Sequence, residues 1–329
     1  MIISRTPFRI SFFGGGTDFP EFYQEHGGAV LATTINQYCY ITLHRLAPFF
    51  RYGFKANYAR TEAVQKPEDF EHPLIRECLL HLDVKEGLEI AHVADLPGRT
   101  GLGTSSSFTV GLLHALHVLR GERVTAEDLA REAIHVERVR VGDAGGHQDQ
   151  YAAAYGGLNR FVFTKQGRVE AMRLPLGAAR LREIEQHLLL FFMGTEQSAE
   201  GILTEQKKRT AQNGATLRQM AHLVEEAGGI LVSDQNLAAF GRLLHESWRM
   251  KRSLAGGISN SDIDVAYDAA HRAGAFGGKL LGAGGRGFLL LCAPPETHAK
   301  IRHQLKALKE VTFAFSASGS EIIFNSELR

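Results

Sequence analysis

Residues 2–13 (IISRTPFRISFF) and 29–46 (AVLATTINQYCYITLHRL) are dominated by β-branched and aromatic side chains and bounded by glycine clusters, the pattern of strands. GLEIAHVAD at 87–95 is a further strand that runs into a glycine-rich stretch. Beyond it, Leu112, Leu113, Leu116 and Leu119 carry helical spacing over residues 105–120. Thr125, with Asp128 three residues on, opens a helix that Gly142 stops. Residues 156–174 read as a hairpin turning at Gln166 and Gly167. The texture then changes. One apolar strand (HLLLFFMG, 187–194) precedes helical stretches at 199–228, 234–254 and 262–273. Two short strands, KLLG and GFLLLCA, flank a second glycine run, and a helix (296–308) and a strand (VTFAFSAS, 311–318) follow. The pattern predicts an α/β chain of two domains, 1–180 and 181–329, with no internal repeat.

Composition narrows the partners. The chain has 329 residues, 44% hydrophobic and 22% charged, with 37 Lys and Arg against 36 Asp and Glu. Without a run of like charge, nucleic acid and membrane surfaces are not expected as partners. Cys39, Cys78 and Cys292 are far apart, which speaks against a disulfide framework or a zinc site. The opening MIISRTPFRISFFGGG lacks the apolar run of a signal peptide, so a cytoplasmic location is expected.

Candidate chemistry concentrates in DLPGRTGLGTSSSF, residues 95–108. Gly101 and Gly103 precede a helix, and glycine lets backbone approach an anion where helix N–H groups lack partners. Thr104, Ser105, Ser106 and Ser107 follow in a row. A single hydroxyl would cap the helix; four, with the stiff Pro97 ahead, point to a phosphate ligand. The loop is neither a P-loop lysine motif nor a dinucleotide fingerprint.

LPGRTGLGTSSS resembles the phosphate loop of the GHMP kinases. The likeness extends to TPFRISFFGGGTDFPEFY near the N-terminus and GGKLLGAGGRGFLLL near the C-terminus, in the family's order. Within the superfamily the chain most resembles sugar kinases that act on D-glycero-D-manno-heptose 7-phosphate, with fucokinase-like enzymes next. FRISFFGGGTDFPEFY, GGHQDQYAAAYGGLNRF and SWRMKRSL carry that likeness. Galactokinases have Gly-Glu-His-Thr-Asp where this chain has Gly-Gly-Gly-Thr-Asp at 14–18, which tells against galactose. The resemblance implies the two-domain GHMP kinase fold, an N-terminal domain like ribosomal protein S5 domain 2 and a ferredoxin-like C-terminal domain. It also implies ATP and Mg2+ as cofactors and a sugar or sugar phosphate as acceptor.

Site residues follow from the same resemblance. Asp149 matches a catalytic aspartate, and Arg9 an arginine that keeps it ionised. Pro97, Gly98, Gly101, Gly103 and Thr104 to Ser107 would bind the ATP phosphates. Glu137 and Ser105 would hold magnesium; read alone, Glu137 suits a solvated helix face beside Arg131 or Arg140, and only the glycine-rich loop brings the metal reading level with that one. Gly16, Thr17, Asp18, Gly146 and Gly284 would line the acceptor site, although Asp18 also suits the N-cap of the helix DFPEFYQEH. Arg286 replaces a family glycine in the motif 278–288 and adds a cation there. Arg249 and Arg252, flanking a helix segment ordered by Trp248, are expected to grip an acceptor phosphate. Lys207, Lys208 and Arg209 suit a solvated helix face, and the histidines show no metal-ligand grouping.

Overall fold

The computed structural model describes residues 1–195 and 199–326. Its strands are β1 (Ile2–Phe13), β2 (Gly28–Arg45), β3 (Phe54–Asn57), β4 (Thr61–Val64), β5 (Leu88–Ala94), β6 (Asn159–Phe163), β7 (Val169–Arg173), β8 (Leu188–Phe192), β9 (Gly277–Leu280), β10 (Phe288–Cys292), β11 (Lys309–Glu310), β12 (Phe315–Ser316) and β13 (Glu321–Asn325). The helices are α1 (Pro20–His26), α2 (Pro73–His81), α3 (Thr104–Leu119), α4 (Ala126–Ile134), α5 (Gln148–Tyr155), α6 (Ala178–Gln186), α7 (Ala199–Lys208), α8 (Gly214–Val232), α9 (Leu237–Ser253), α10 (Ser261–Arg272) and α11 (His298–Gln304).

The first sheet runs β13-β1-β2-β5-β3-β4 and is antiparallel except for β3 beside β5. The long β2 serves two neighbours, since its first half pairs with β6 and its second with β5. The second sheet, β11-β8-β10-β9, is antiparallel throughout. β1 begins with alternating burial and ends buried on both faces, because α3 covers one side of the sheet while α8 and α9 approach from the second part of the chain. Phe12 and Phe13 meet Phe240 of α9 edge-on, at 5.5 and 5.3 Å between ring centres, closing the core across the two parts.

Several expectations change. Residues 199–228 form two helices, because the chain turns at 209–213, where the Asn213 amide is tied to the Leu254 carbonyl at 2.8 Å. VTFAFSAS retains two strand residues, β12, and the chain then returns to the first sheet as β13, alongside β1. Asp18 does not cap α1. The capping position belongs to Phe19, with Pro20 supplying the first helical φ, while the Asp18 side chain turns toward the site. The Thr125 cap is as expected, accepting from the Asp128 N–H at 3.1 Å. No helix among the described residues is long and apolar enough to cross a membrane.

Candidate active site

Arg9 owes its position to an irregularity in β1. The pairing with β2 shifts between Pro7 and Phe8, where proline cannot donate a ladder hydrogen bond, and shifts again between Ser11 and Phe13. Between the two shifts the Arg9 N–H donates to the Leu102 carbonyl at 3.0 Å, which fixes the strand against the glycine loop. The guanidinium, 5% exposed, grips Asp149 with two parallel bonds, Nε to Oδ1 at 2.8 Å and Nη2 to Oδ2 at 2.9 Å. Nη1 donates to the Gly101 carbonyl at 2.5 Å. Strand, loop and the first turn of α5 therefore meet at one arginine.

The loop leaves β5 and enters α3 through Gly103, whose φ is +70° and which offers no side chain to cap the helix. A Cβ there would stand 3.1 Å from the Arg9 Cγ and 3.4 Å from the Asp149 carboxyl, so helix terminus and carboxylate lie side by side. The hydroxyls that follow have different tasks. Thr104 and Ser105 face the cavity beside Gly98, Gly101 and Gly103. Ser106 donates to Glu137 Oε2 at 3.0 Å, and Ser107 to the Pro7 carbonyl at 2.8 Å. Pro97, Ser106 and Ser107 are thus part of the loop's framing rather than of its open face: the Pro97 carbonyl accepts from Thr100 at 2.9 Å, which closes the turn.

Glu137 projects from a π-helical turn, His135–Arg140, that continues α4. It is 1% exposed, and its Oε2 accepts from Ser106 and, at 2.8 Å, from Gln150. Its cationic neighbour is Arg138 at 3.6 Å, not Arg131 or Arg140. Burial raises its pKa, opposed by Arg138. Oε1 is buried with no hydrogen-bond partner among the described residues. An orphaned carboxylate oxygen on a residue that lines the same cavity as Ser105 suits a hard cation. The hydroxyl bonded to Glu137 is that of Ser106, while Ser105, expected to share a metal with Glu137, lines the cavity.

These groups line one cavity of about 940 Å3. Toward β1 and α7 it is walled by Ser11, Gly16, Asp18, Gly146, Gln148, Gln206, Lys251 and Lys279. Asp18 is 1% exposed, accepts from the Gly16 and Gln148 N–H groups at 2.9 and 3.1 Å, and has a raised pKa, chiefly from burial and then from Asp149. Ser11 Oγ and Gln148 Oε1 are buried without partners among the described residues. A further part of the lining is aromatic. His72 and His92 approach Phe108 at 5.3 and 5.1 Å between ring centres, with Tyr58 and Leu96 nearby.

Other expected residues lie elsewhere. Thr17 is fully buried and its hydroxyl is used by the Gly14 and Ala29 backbone, so it shapes the turn instead of facing the cavity. Gly284 packs on Ile258, where a Cβ would come within 2.5 Å of backbone. Arg286 is exposed and leans on Gly194. Arg249 is exposed, and Arg252 pairs with Asp264 at 2.7 Å on the surface. Neither arginine lines the cavity, which removes the ground for an acceptor grip at those positions. The reason is helical phase. Leu244, Ser247, Trp248 and Lys251 share the buried face of α9, and that face delivers Lys251, not its neighbours. Lys207 and Arg209 pair with Glu21 and Glu205 on the surface, as a solvated face should. Sequence reasoning missed Ser11, Gln148, Gln206 and Lys279, and of the cations Arg249, Lys251 and Arg252 in SWRMKRS it favoured the two arginines over Lys251, whose spacing from Trp248 was the available signal.

Comparison with known proteins places this geometry. Residues 73–157 match the GHMP kinases N terminal domain and residues 220–311 the GHMP kinases C terminal domain, together more than half of the chain. A D-glycero-alpha-D-manno-heptose 7-phosphate kinase of Campylobacter jejuni is 29% identical over 321 residues, 94% of this chain and 93% of the relative. A bifunctional fucokinase/GDP-fucose pyrophosphorylase of Arabidopsis thaliana is 25% identical over 326 residues, 91% of this chain and 30% of that protein. The crystal structure of a D-glycero-D-manno-heptose 1-phosphate kinase from Bacteroides thetaiotaomicron superposes with a TM-score of 0.81 over 99% of both chains, at 24% identity. This last likeness is one of fold.

Proposed function

We propose, for a chain that belongs to the GHMP kinases and is an ATP-dependent phosphotransferase, that it phosphorylates the anomeric hydroxyl of a heptose phosphate of the D-glycero-D-manno-heptose 7-phosphate class. The observation that carries this reading is the abutment of Asp149 on Gly103. It makes a base and a phosphate cradle adjoin, so acceptor hydroxyl and terminal phosphoryl group would converge there. The identity of the Campylobacter relative over nearly the whole length of both chains supports the sugar class. So do the buried Ser11 and Gln148 acceptors, which a polyol can satisfy and an apolar acceptor cannot.

In this reading Asp149 orients the acceptor hydroxyl and takes its proton as the new O–P bond forms and the bond to the leaving ADP breaks. The transition state is loose, so positioning matters more than base strength. Arg9 holds both carboxylate oxygens in place with two parallel charge-assisted hydrogen bonds. The uncapped N-terminus of α3, with Gly101, Gly103, Thr104 and Ser105, binds the phosphates. Glu137 Oε1, with the hydroxyl of Ser105 or Ser106, would hold Mg2+, which supplies charge neutralisation to the phosphates when bound. The aromatic arm around Phe108 accepts the flat purine. A coupled ADP-release assay over heptoses, hexoses and their phosphates, with mevalonate as the outlying alcohol, tests the reading. Turnover confined to a heptose phosphate is expected; turnover confined to mevalonate or to a free hexose would overturn it.

A further inference from the structure

Gly14, Gly15 and Gly16 lead in succession from β1 toward α1, and the fold explains only the outer two. Gly14 and Gly16 have left-handed φ, +80° and +101°, and a Cβ on either would overlap a neighbour, the Ala29 carbonyl or the Gln206 amide. Gly15 has neither reason. Its φ lies outside the left-handed region, and within 4 Å a Cβ there would meet only the Gln148 Nε2 at 3.6 Å and the Ser11 Oγ at 3.9 Å, ordinary van der Waals distances. Folding thus has room for a side chain at Gly15. What its missing Cβ leaves is space in the cavity wall.

Unspent hydrogen-bonding capacity flanks that space. Ser11 is 6% exposed and its hydroxyl has no partner among the described residues, and neither has the buried Oε1 of Gln148. The two side chains come from β1 and from the first residue of α5, immediately before Asp149, and both line the cavity with Gly15. Buried polar atoms left unpaired are costly, so two of them beside one gap mark a place completed by a ligand. The serine hydroxyl donates and accepts, and the amide offers one acceptor and one donor group. A cation would answer only the acceptors and an anion only the donors. A ligand hydroxyl answers both kinds and is small enough to rest on a bare Cα.

We propose that Ser11, Gln148 and the bare backbone of Gly15 form a niche that reads one hydroxyl of the acceptor, distinct from the hydroxyl that is phosphorylated. This rests on the sugar-kinase reading for the identity of the acceptor and adds to it the residues that discriminate among the acceptor's hydroxyls. An analogue lacking that hydroxyl is rejected because the two buried side chains then stay unpaired.

The test uses the full-length protein and the variants Gly15→Ala, Ser11→Ala and Gln148→Met. The urea midpoint of Gly15→Ala is expected to match or exceed that of wild type, since alanine restricts the unfolded chain and meets no clash. Its KM for heptose 7-phosphate should nevertheless rise about tenfold or more, with the KM for ATP unchanged. Analogues of heptose 7-phosphate lacking the hydroxyl at C2, C3, C4 or C6 then locate the contact. With wild type, one of them should lose about a hundredfold or more in kcat/KM. Ser11→Ala and Gln148→Met should each shrink that loss to about tenfold or less, at the same carbon. A lower midpoint for Gly15→Ala, an unchanged KM for the sugar, or a discrimination that the two other variants retain or lose at different carbons overturns the proposal. Turnover confined to mevalonate would remove the sugar reading alone. The same variants would then be read on the non-reacting tertiary hydroxyl of mevalonate, where a KM unmoved by Gly15→Ala would overturn the niche as well.

Discussion

Gly101 of the loop before α3 and Gly282 of the second glycine motif lie back to back: a Cβ added to Gly282 would stand 2.3 Å from the Gly101 Cα. The two parts of the chain thus touch through bare backbone at the cradle, and both residues have left-handed φ, +80° and +79°. Gly282→Ala is expected to cost about 2 kcal/mol or more, since conformational strain adds to a backbone overlap that no rotamer can relieve. It should also raise the KM for ATP by displacing the loop. Gly121→Ala, at φ +74° with nothing within 4 Å, carries the strain alone and should cost about 1 kcal/mol. Urea midpoints of the two variants make the comparison; equal losses would mean that the contact is slack.

Asp149→Asn keeps the shape of the side chain and removes the base. A fall in kcat of about a hundredfold or more is expected, with ATP binding nearly intact. Because Arg9 loses its counter-charge, a melting curve must accompany the kinetics. Turnover within a few-fold of wild type would take the proton-accepting role from Asp149.

Glu137→Gln removes the charge behind the orphaned Oε1. The magnesium concentration for half-maximal activity should rise about tenfold, and Arg286→Gly, on the exposed turn beside Gly194, should leave the titration unchanged. Identical titrations for Glu137→Gln and wild type would place the metal elsewhere.

His117 gives a pH test of the fold, remote from the chemistry. Its two ring nitrogens lie 2.7 Å from Glu122 and Glu132, an arrangement both carboxylates can enjoy only if both nitrogens carry protons. The bond to Glu132, then that to Glu122, raises its pKa above the ordinary 6.5. A raised folded-state pKa stabilises fully below about 6.5, and the contribution disappears as pH climbs through the raised value. His117→Gln should therefore lower the urea midpoint more at pH 6 than at pH 9; a loss independent of pH would make the residue a packing element.

How much was legible depended on whether a residue's task left a local signature. β1, β2, α3 and the Thr125 cap follow from alternation, helical spacing and a capping pair, all properties of a few consecutive residues. The turn from β5 into α3 was legible because its glycines and its run of hydroxyls stand immediately before the helical spacing of the leucines. The small elements β3, β4 and α5 were not, since they are short and are held by neighbours distant in sequence, such as Gly146 beneath Asp18. Lys251 was misjudged for its neighbours because three cations in four residues hide which one follows the Trp248 face. Lys279 sits in a strand whose every residue is buried, and nothing local says that its ammonium reaches the Phe12 carbonyl of another sheet.

The central claim is phosphoryl transfer to the anomeric oxygen of a heptose phosphate at the Asp149–Gly103 junction. Phosphorus NMR of a mixture of the protein, ATP, magnesium and D-glycero-D-manno-heptose 7-phosphate measures it directly. A new sugar phosphate resonance coupled to the anomeric proton, growing in step with ADP and absent with Asp149→Asn, is the expected result. ADP formed with no new sugar phosphate, a phosphate on any other hydroxyl, or an undiminished rate with Asp149→Asn would contradict it.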